Sequence, residues 1–358
     1  MPLAILILSD GRPGHYHLAE GVAAAIGRRV AVEVQRLEIT RRTGTPGRLL
    51  AGALRLGVPV GWVLRAGYGL DAGTLPRAGV VISAGGDTLA ANVASARHLR
   101  AASIYCGTLR HVPPEAVSLV VSSYARHASL PRHLVALKPS GLDPDTLPSR
   151  LSSAPLGPGH PPRVAGLLVG GPSGLFSWRD DEWARLGGFL GESHARHGTR
   201  WIVSTSRRTP DAVGDLLQAI ARGTGSPIAE LIDFRTAGPG TLPRLFASVE
   251  AILATEDSST MMSEAVCARL PVVGVAPHSH SFKDEEREYR ALMTAEGWCR
   301  SVPLASLSPE AFLAALSEVR PLAGNHLDRL ADALDERLPA LFSVARQGAG
   351  ARSAPQTI

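Results

Sequence analysis

The chain has 358 residues, enough for two domains of ordinary size. Its 45% hydrophobic and 19% charged content excludes a disordered chain, and no apolar run approaches the ~18 residues a membrane-spanning helix needs. The net charge of +5 favours acidic partners such as phosphates or anionic lipid heads, whereas 5% aromatic content is too low for stacking on single-stranded nucleic acid, so no nucleic-acid partner is expected.

Met1 to Leu8 is apolar but short, lacks a basic leader region and runs straight into Ser9-Asp10-Gly11. It reads as a first buried strand rather than a signal peptide. Cys106, Cys267 and Cys299 are scattered, which argues for a reducing compartment and against disulfides or zinc. The expectation is a cytoplasmic protein without metal or cofactor.

Along the chain, apolar runs of strand length alternate with helical patterns. Strands are expected at 3–8, 30–37, 79–83, 102–106, 117–121 and 133–137, with helices at 16–26 and 88–99. Such alternation implies βαβ units and a parallel sheet. Between Pro139 and Pro162, proline, glycine and serine block both helix and ladder, so 141–162 reads as a linker after a domain at 1–140. The pattern restarts with strands at 163–170, 200–204, 228–233, 249–254 and 271–275. Helices are expected at 179–196, 211–222, 241–247, 258–269 and 282–295, and the stretch 308–345 is helical and amphipathic. A second domain is therefore placed at 163–318 and a C-terminal helix and tail at 319–358. Two such α/β domains would place a ligand cleft at the carboxyl ends of their strands.

The most informative segment runs from Ala251 to Val275: strand, small polar turn, amphipathic helix, strand. Asp257 and Ser258 can cap the helix, leaving its first N–H groups and its dipole available to an anion. Ser258, Ser259 and Thr260 add hydroxyl donors for phosphate oxygens, and Glu264 offers a carboxylate to a ribose diol. Ordinary helix capping accounts for the same serines and aspartate.

Three other strand ends carry polar loops. Ser9 to His17 reads SDGRPGHYH, where Gly11 and Gly14 permit a tight turn, and Asp10 with His15 could form a general base and its orienting carboxylate. Helix capping by Asp10 is the plain alternative. Gly171, Ser173 and Gly174 of the GGPSG loop could hold a diphosphate, although a β-turn explains them nearly as well. Arg207 and Arg208 end the strand before Thr209, where guanidinium forks suit phosphate.

Two further segments carry open readings. Ile82 to Asn92 repeats the theme of strand, glycines and a helix capped by Asp87 or Thr88. Arg48 to Leu70 is apolar and basic, with Trp62, Tyr68, Arg48, Arg55 and Arg65; it reads as a buried helix pair or as a peripheral membrane contact. Asp180-Asp181 is ordinary helix-start chemistry, and no acidic pair or His/Cys cluster marks a metal site.

DGRPGH at 10–15, GGPSG at 170–174, TSRRTP at 205–210 and TEDSSTMMSEA at 255–265 together resemble the elongated-mitochondria family, known from plant mitochondrial fission and widespread in bacteria. The resemblance covers nearly the whole chain. It implies an α/β GT-B-like fold of two Rossmann-like domains with a cleft between them. The last motif is also similar to the donor-binding helix of the N-acetylglucosaminyltransferase of peptidoglycan synthesis. That likeness implies ribose binding at Glu264 and a reaction-centre role for His15. Leu18 stands where the family commonly has glutamine, and Gly240-Thr241-Leu242 where it commonly has Asn-Pro-Tyr.

The resulting expectation is a metal-independent glycosyltransferase. The second domain would bind a nucleoside-diphosphate sugar through Gly171, Ser173, Gly174, Arg207, Asp257, Ser258, Ser259, Thr260 and Glu264. The first would bind an unknown, lipid-linked or cell-envelope acceptor near His15 and Asp10, at the inner face of the membrane. A nucleotide-sugar epimerase of the same fold and a non-catalytic membrane- or partner-binding protein are the rival readings.

Overall fold

The computed structural model describes residues 1–148 and 156–343. Residues 149–155 of the expected linker, the end of the 308–345 stretch and the tail from 344 lie outside them. Two compact units result: Met1–Gly141 with the described residues from His326, and Leu142–Asn325.

The first unit contains β1 (Leu3–Ser9), α1 (Pro13–Gly27), β2 (Val32–Glu38), α2 (Gly47–Arg55) and α3 (Val60–Tyr68). It continues with β3 (Val80–Ala84), α4 (Leu89–Leu99), β4 (Ala102–Cys106), β5 (Leu119–Ser122) and β6 (His133–Val135). The strands form one sheet in the order β2-β1-β3-β4-β5-β6, all parallel. Successive side chains on a strand point to opposite faces, so β1 supplies two cores. Ile5 and Ile7 join Val80, Ile82 and α1 on one face. Leu6 and Leu8 join Val81 and α2 to α4 on the other. Gly21 of α1 is a close-approach position: a Cβ there would stand 2.4 Å from the Ser140 nitrogen.

The stretch 48–70 forms a pair of short helices, α2 and α3. Leu50, Leu54, Val63, Leu64 and Tyr68 are buried in the core, while Leu49, Leu56 and Trp62 remain exposed.

The second unit repeats the plan. It comprises β7 (Val164–Val169), the short β8 (Phe176–Ser177), α5 (Asp180–His197), β9 (Arg200–Thr205), α6 (Asp211–Arg222) and β10 (Ile228–Ile232). Then follow α7 (Phe234–Ala237), α8 (Leu242–Phe246), β11 (Ala251–Thr255), α9 (Ser259–Cys267), β12 (Val272–Ala276) and the short β13 (Ser279–His280). The unit ends with α10 (Asp284–Ala295), β14 (Cys299–Pro303) and α11 (Pro309–Ser317). Its main sheet is again wholly parallel, in the order β10-β9-β7-β11-β12-β14. Leu167 of β7 lies opposite Val203 of β9 and Leu253 of β11. One core packs these residues with Trp183, Phe189, Trp201 and Phe312.

Two sequence expectations need correction. β14 had not been foreseen; its sequence, CRSVP, is half polar because it is the edge strand. The stretch 308–345 is not one helix: α11 ends at Ser317, and Pro321 and Gly324 (φ +73°) separate it from α12 (His326–Arg337). Leu327, Leu330, Ala331 and Leu334 recur at helical spacing and enter the first unit's core against α1. Each buried leucine contributes about 1.5–3 kcal/mol as an upper estimate. Arg28 donates two hydrogen bonds to Asp328, at 2.8 and 3.1 Å, across the same contact.

Among the described residues no helix is long and apolar enough to cross a membrane. All three cysteines are buried. Burial pushes the Cys106 thiol up to about 12, the Cys299 thiol up to about 11, and the Cys267 thiol upward as well. The thiolate is the reactive form. A disulfide reagent at pH 8 should therefore label none of them in the folded protein and all three in denaturant. Rapid labelling of the native protein would contradict this burial.

Candidate functional site

In an open parallel sheet, ligands bind beyond the carboxyl ends of the strands, where the strand order reverses. The second unit reverses between β7 and β11. The loop Gly170–Gly174 and the segment Glu256-Asp257-Ser258 therefore meet there.

Their contact is held by buried groups. The Gly170 N–H donates to Thr255 Oγ1 at 2.7 Å, and the Gly171 N–H donates to Asp257 Oδ2 at 3.1 Å. Arg208 Nη2 donates to the same Asp257 oxygen at 2.6 Å. Both glycines are required by proximity. A Cβ on Gly170 would stand 2.0 Å from Asp257 Oδ2, and one on Gly171 would stand 1.9 Å from the Arg208 carbonyl oxygen. The Asp257 side chain is fully buried, and burial raises its carboxyl above the usual range against the opposing pull of Thr255, Arg208 and the Gly171 N–H.

This geometry revises several expected roles. Asp257 does not cap α9; it braces the glycine loop and Arg208. Ser258 is the cap, its Oγ accepting from the Met261 N–H at 3.4 Å. The Gly171 N–H is already used by Asp257, so it is not a free donor for an anion. Ser173 and Gly174 stand exposed in a tight turn closed by paired hydrogen bonds between Ser173 and Phe176. Arg207 points to solvent, and the adjacent Arg208 carries the internal contact. Ser259 is buried, Thr260 half-buried, and Glu264 lies half-buried at the start of the second turn of α9.

Beside this brace lies a cavity of about 550 Å³ with Glu256, Pro277, Phe282, Arg290, Val302 and Pro303 among its lining. Sequence reasoning had passed over Glu256, next to the more obvious Asp257. Its carboxylate accepts from Arg290 Nη1 at 3.1 Å, and both side chains are nearly buried. Arg290 also lies 4.3 Å from the Phe282 ring centroid, over its face. Gly274 makes room: a Cβ there would stand 2.6 Å from Glu256 Oε1. The only signal in the sequence was a glycine inside an apolar strand.

The first unit reverses between β1 and β3. Here Asp10 and His15 come together, with His15 Nδ1 2.8 Å from Asp10 Oδ2. The His15 ring lies against Gly85, where a Cβ would stand 2.3 Å from Nδ1. Gly85 itself has φ +87°, so the left-handed turn and the close ring both call for glycine. Asp10 is 8% exposed at its side chain and His15 32%, so the carboxylate lies beneath a ring that reaches solvent. With Asp10 accepting from Nδ1–H, Nε2 carries the lone pair. Asp87 does not cap α4; it accepts from Arg41 Nε at 2.9 Å. Among the described residues no group of three or more His, Cys, Asp or Glu side chains could hold a metal ion.

The brace predicts an order of stability. Asp257→Ala strips an acceptor from the Gly171 N–H and from Arg208, which costs roughly 1–3 kcal/mol. Asp257→Asn keeps an acceptor oxygen and buries no charge, so its melting temperature should fall less. Because the folded-state carboxyl is raised, the wild type loses this aspartate's contribution as pH climbs from the unfolded carboxylate range through the raised value. The asparagine variant should lack that slope. Thermal melts from pH 3 to 8 compare all three, and equal stability of the alanine variant and wild type would remove the brace.

No curated protein matches the chain. Among solved structures, a protein described as a UDP-N-acetylglucosamine 2-epimerase from Listeria monocytogenes is similar, at 12% identity over 95% of this chain and 98% of that one, with a TM-score of 0.55. The UDP-GlcNAc 2-epimerase of Methanocaldococcus jannaschii is similar at 13% identity over 95% and 100%, also with a TM-score of 0.55. The calicheamicin glycosyltransferase CalG4 aligns at 13% identity over 99% and 100%, with a TM-score of 0.45. What the first two show, at such identities, is the fold, an α/β architecture of the GT-B type. The profile of the mitochondrial fission ELM1 family matches residues 13–338, nearly the whole chain, and the chain belongs to that GT-B-like family.

Proposed function

We propose that the chain is a glycosyltransferase that uses a nucleoside-diphosphate sugar and needs no metal ion. The observation that carries this reading is the division of labour along Glu256-Asp257-Ser258. Glu256 lines a nucleoside-sized cavity, Asp257 braces the glycine loop, and Ser258 caps α9. Three consecutive residues thus join a part-apolar pocket to a helix amino terminus. That pairing suits a base and ribose followed by a diphosphate.

In this reading the α9 amino terminus, Thr260, the exposed Ser173–Gly174 turn and Arg207 stabilise the leaving diphosphate. Glu264, half-buried on α9, accepts from the ribose diol. The first unit supplies the acceptor side. Nε2 of His15, oriented through Nδ1 by Asp10, takes the proton from an acceptor hydroxyl. The oxygen attacks the anomeric carbon, and the nucleoside diphosphate departs with the bonding electron pair. Exposed Leu49, Leu56 and Trp62, together with Arg55 and Arg65, support peripheral contact with an anionic membrane surface.

A panel of radiolabelled nucleotide sugars, with and without lipid acceptors, tests the activity. Conversion of a UDP-sugar to its epimer with no acceptor would favour the epimerase reading instead. His15→Ala should lower kcat about 10²–10⁴-fold, the usual contribution of a general base, while nucleotide affinity holds. A melting point that drops while kcat stays normal would make His15 structural. EDTA should leave turnover largely intact, since helix N–H groups and arginine supply the positive charge. Activity lost to EDTA and restored by magnesium or manganese would overturn the leaving-group site.

A further inference from the structure

The first unit contains a second cavity, of about 600 Å³, whose lining includes Arg12, His15, Arg41, Arg48, Arg110 and His111. These residues are far apart in sequence and come from the segments that follow β1, β2 and β4, with Gly86 and Asp87 after β3. All four segments leave the carboxyl edge of the same parallel sheet.

Charge in this cavity is one-sided. Four guanidinium groups face one lining carboxylate, Asp87. That carboxylate is already engaged by Arg41 at 2.9 Å and by Arg12 at 3.9 Å. Its own backbone is held by Tyr68, whose hydroxyl donates to the Asp87 carbonyl oxygen at 2.9 Å. Arg48 and Arg110 make no ion pair or side-chain hydrogen bond among the described residues. Asp10, outside the lining, holds His15 at 2.8 Å and lies 3.9 Å from the Arg12 guanidinium.

The backbone adds to the same field. The first turns of α1, α2 and α4, helices of 15, 9 and 11 residues, all contribute to the lining. Each helix start presents unsatisfied N–H groups and the positive end of its dipole. His111 is held at φ +60°, a left-handed backbone that a β-carbon disfavours.

We infer that this cavity binds a phosphate-bearing group, best a diphosphate, as the handle of the acceptor. The inference rests on the glycosyltransferase reading only for the word acceptor; the anion site stands on its own lining. A neutral sugar would need acceptor side chains, and the cavity offers one carboxylate, already paired. A single carboxylate ligand would leave most of the guanidinium charge unmatched. Diphosphate matches both the number of donors and their planar forks. His15 lines the same cavity, so the handle would be held beside the residue that removes the proton. The same group could arrive on a soluble metabolite or on an isoprenoid.

Calorimetry on the full chain tests this with inorganic diphosphate and with geranyl diphosphate, each in the presence of excess UDP. Both should bind. The double variant Arg48→Ala/Arg110→Ala should weaken each about 10-fold or more, since two charge-assisted contacts are lost. UDP affinity should be unchanged. Both arginines are exposed, so the variant should fold, and its melting curve verifies this. Tighter binding of geranyl diphosphate than of inorganic diphosphate assigns an isoprenoid source, and equal affinity assigns a soluble one. Diphosphate affinity that survives the double substitution, or that falls in step with UDP affinity, overturns the site. If UDP fails to bind while diphosphate binding still depends on Arg48 and Arg110, the donor reading falls and this one stands.

Discussion

The constraint on which the rest depends is the reversal of strand order in each all-parallel sheet. A parallel strand must return by a crossover, and crossovers keep one hand. From β1 the chain builds outward to β2 and then back across to β3; from β7 it builds to β9 and β10 and then across to β11. At each reversal the loops that follow the two neighbouring strands meet above the carboxyl edge of the sheet. The strands beneath are buried on both faces, so they hold the loops' starting points rigidly. Asp10, His15 and Gly85 occupy one reversal, and Gly170, Gly171 and Asp257 the other.

The two reversals use buried carboxylates differently. An uncompensated carboxylate beside the proposed phosphate site would repel an anion, and burying one alone is costly. Asp257 is offset by Arg208, and Glu256 by Arg290. Both pairs are nearly neutral as units, which leaves the amino terminus of α9 as the local positive pole. Asp10 is shared between the His15 ring, which it orients, and the more distant Arg12 guanidinium. Position along the strand end, rather than residue type, decides which task each acid performs.

Much of the architecture was legible because parallel strands buried on both faces read as unbroken apolar runs; β3, β11 and β12 are fully buried along their lengths. The edge strand β14 lacks that signature, since one side of it needs no apolar cover. The break between α11 and α12 was written in Pro321 and Gly324, but amphipathicity on both sides masked it. Asp10 and His15 were readable because five residues and a tight turn suffice to bring them together. Glu256 and Arg290, or Arg48 and Arg110, meet only through tertiary packing, which no local spacing encodes. The choice of Arg207 over Arg208 turned on one residue of register at a strand end, and sequence rarely fixes that.

The return of α12 to α1 makes the first unit a discontinuous domain, interrupted by the whole of the second. During synthesis the ribosome releases β1 to β6 long before Leu327, Leu330 and Leu334 exist to cover α1. That apolar face must wait, open to solvent or to a chaperone, while the second unit emerges and can fold on its own contiguous segment. Completion of the first core is thereby deferred until α12 has emerged. A chain truncated before His326 would carry the sheet and the Asp10–His15 pair yet leave one side of its core uncovered.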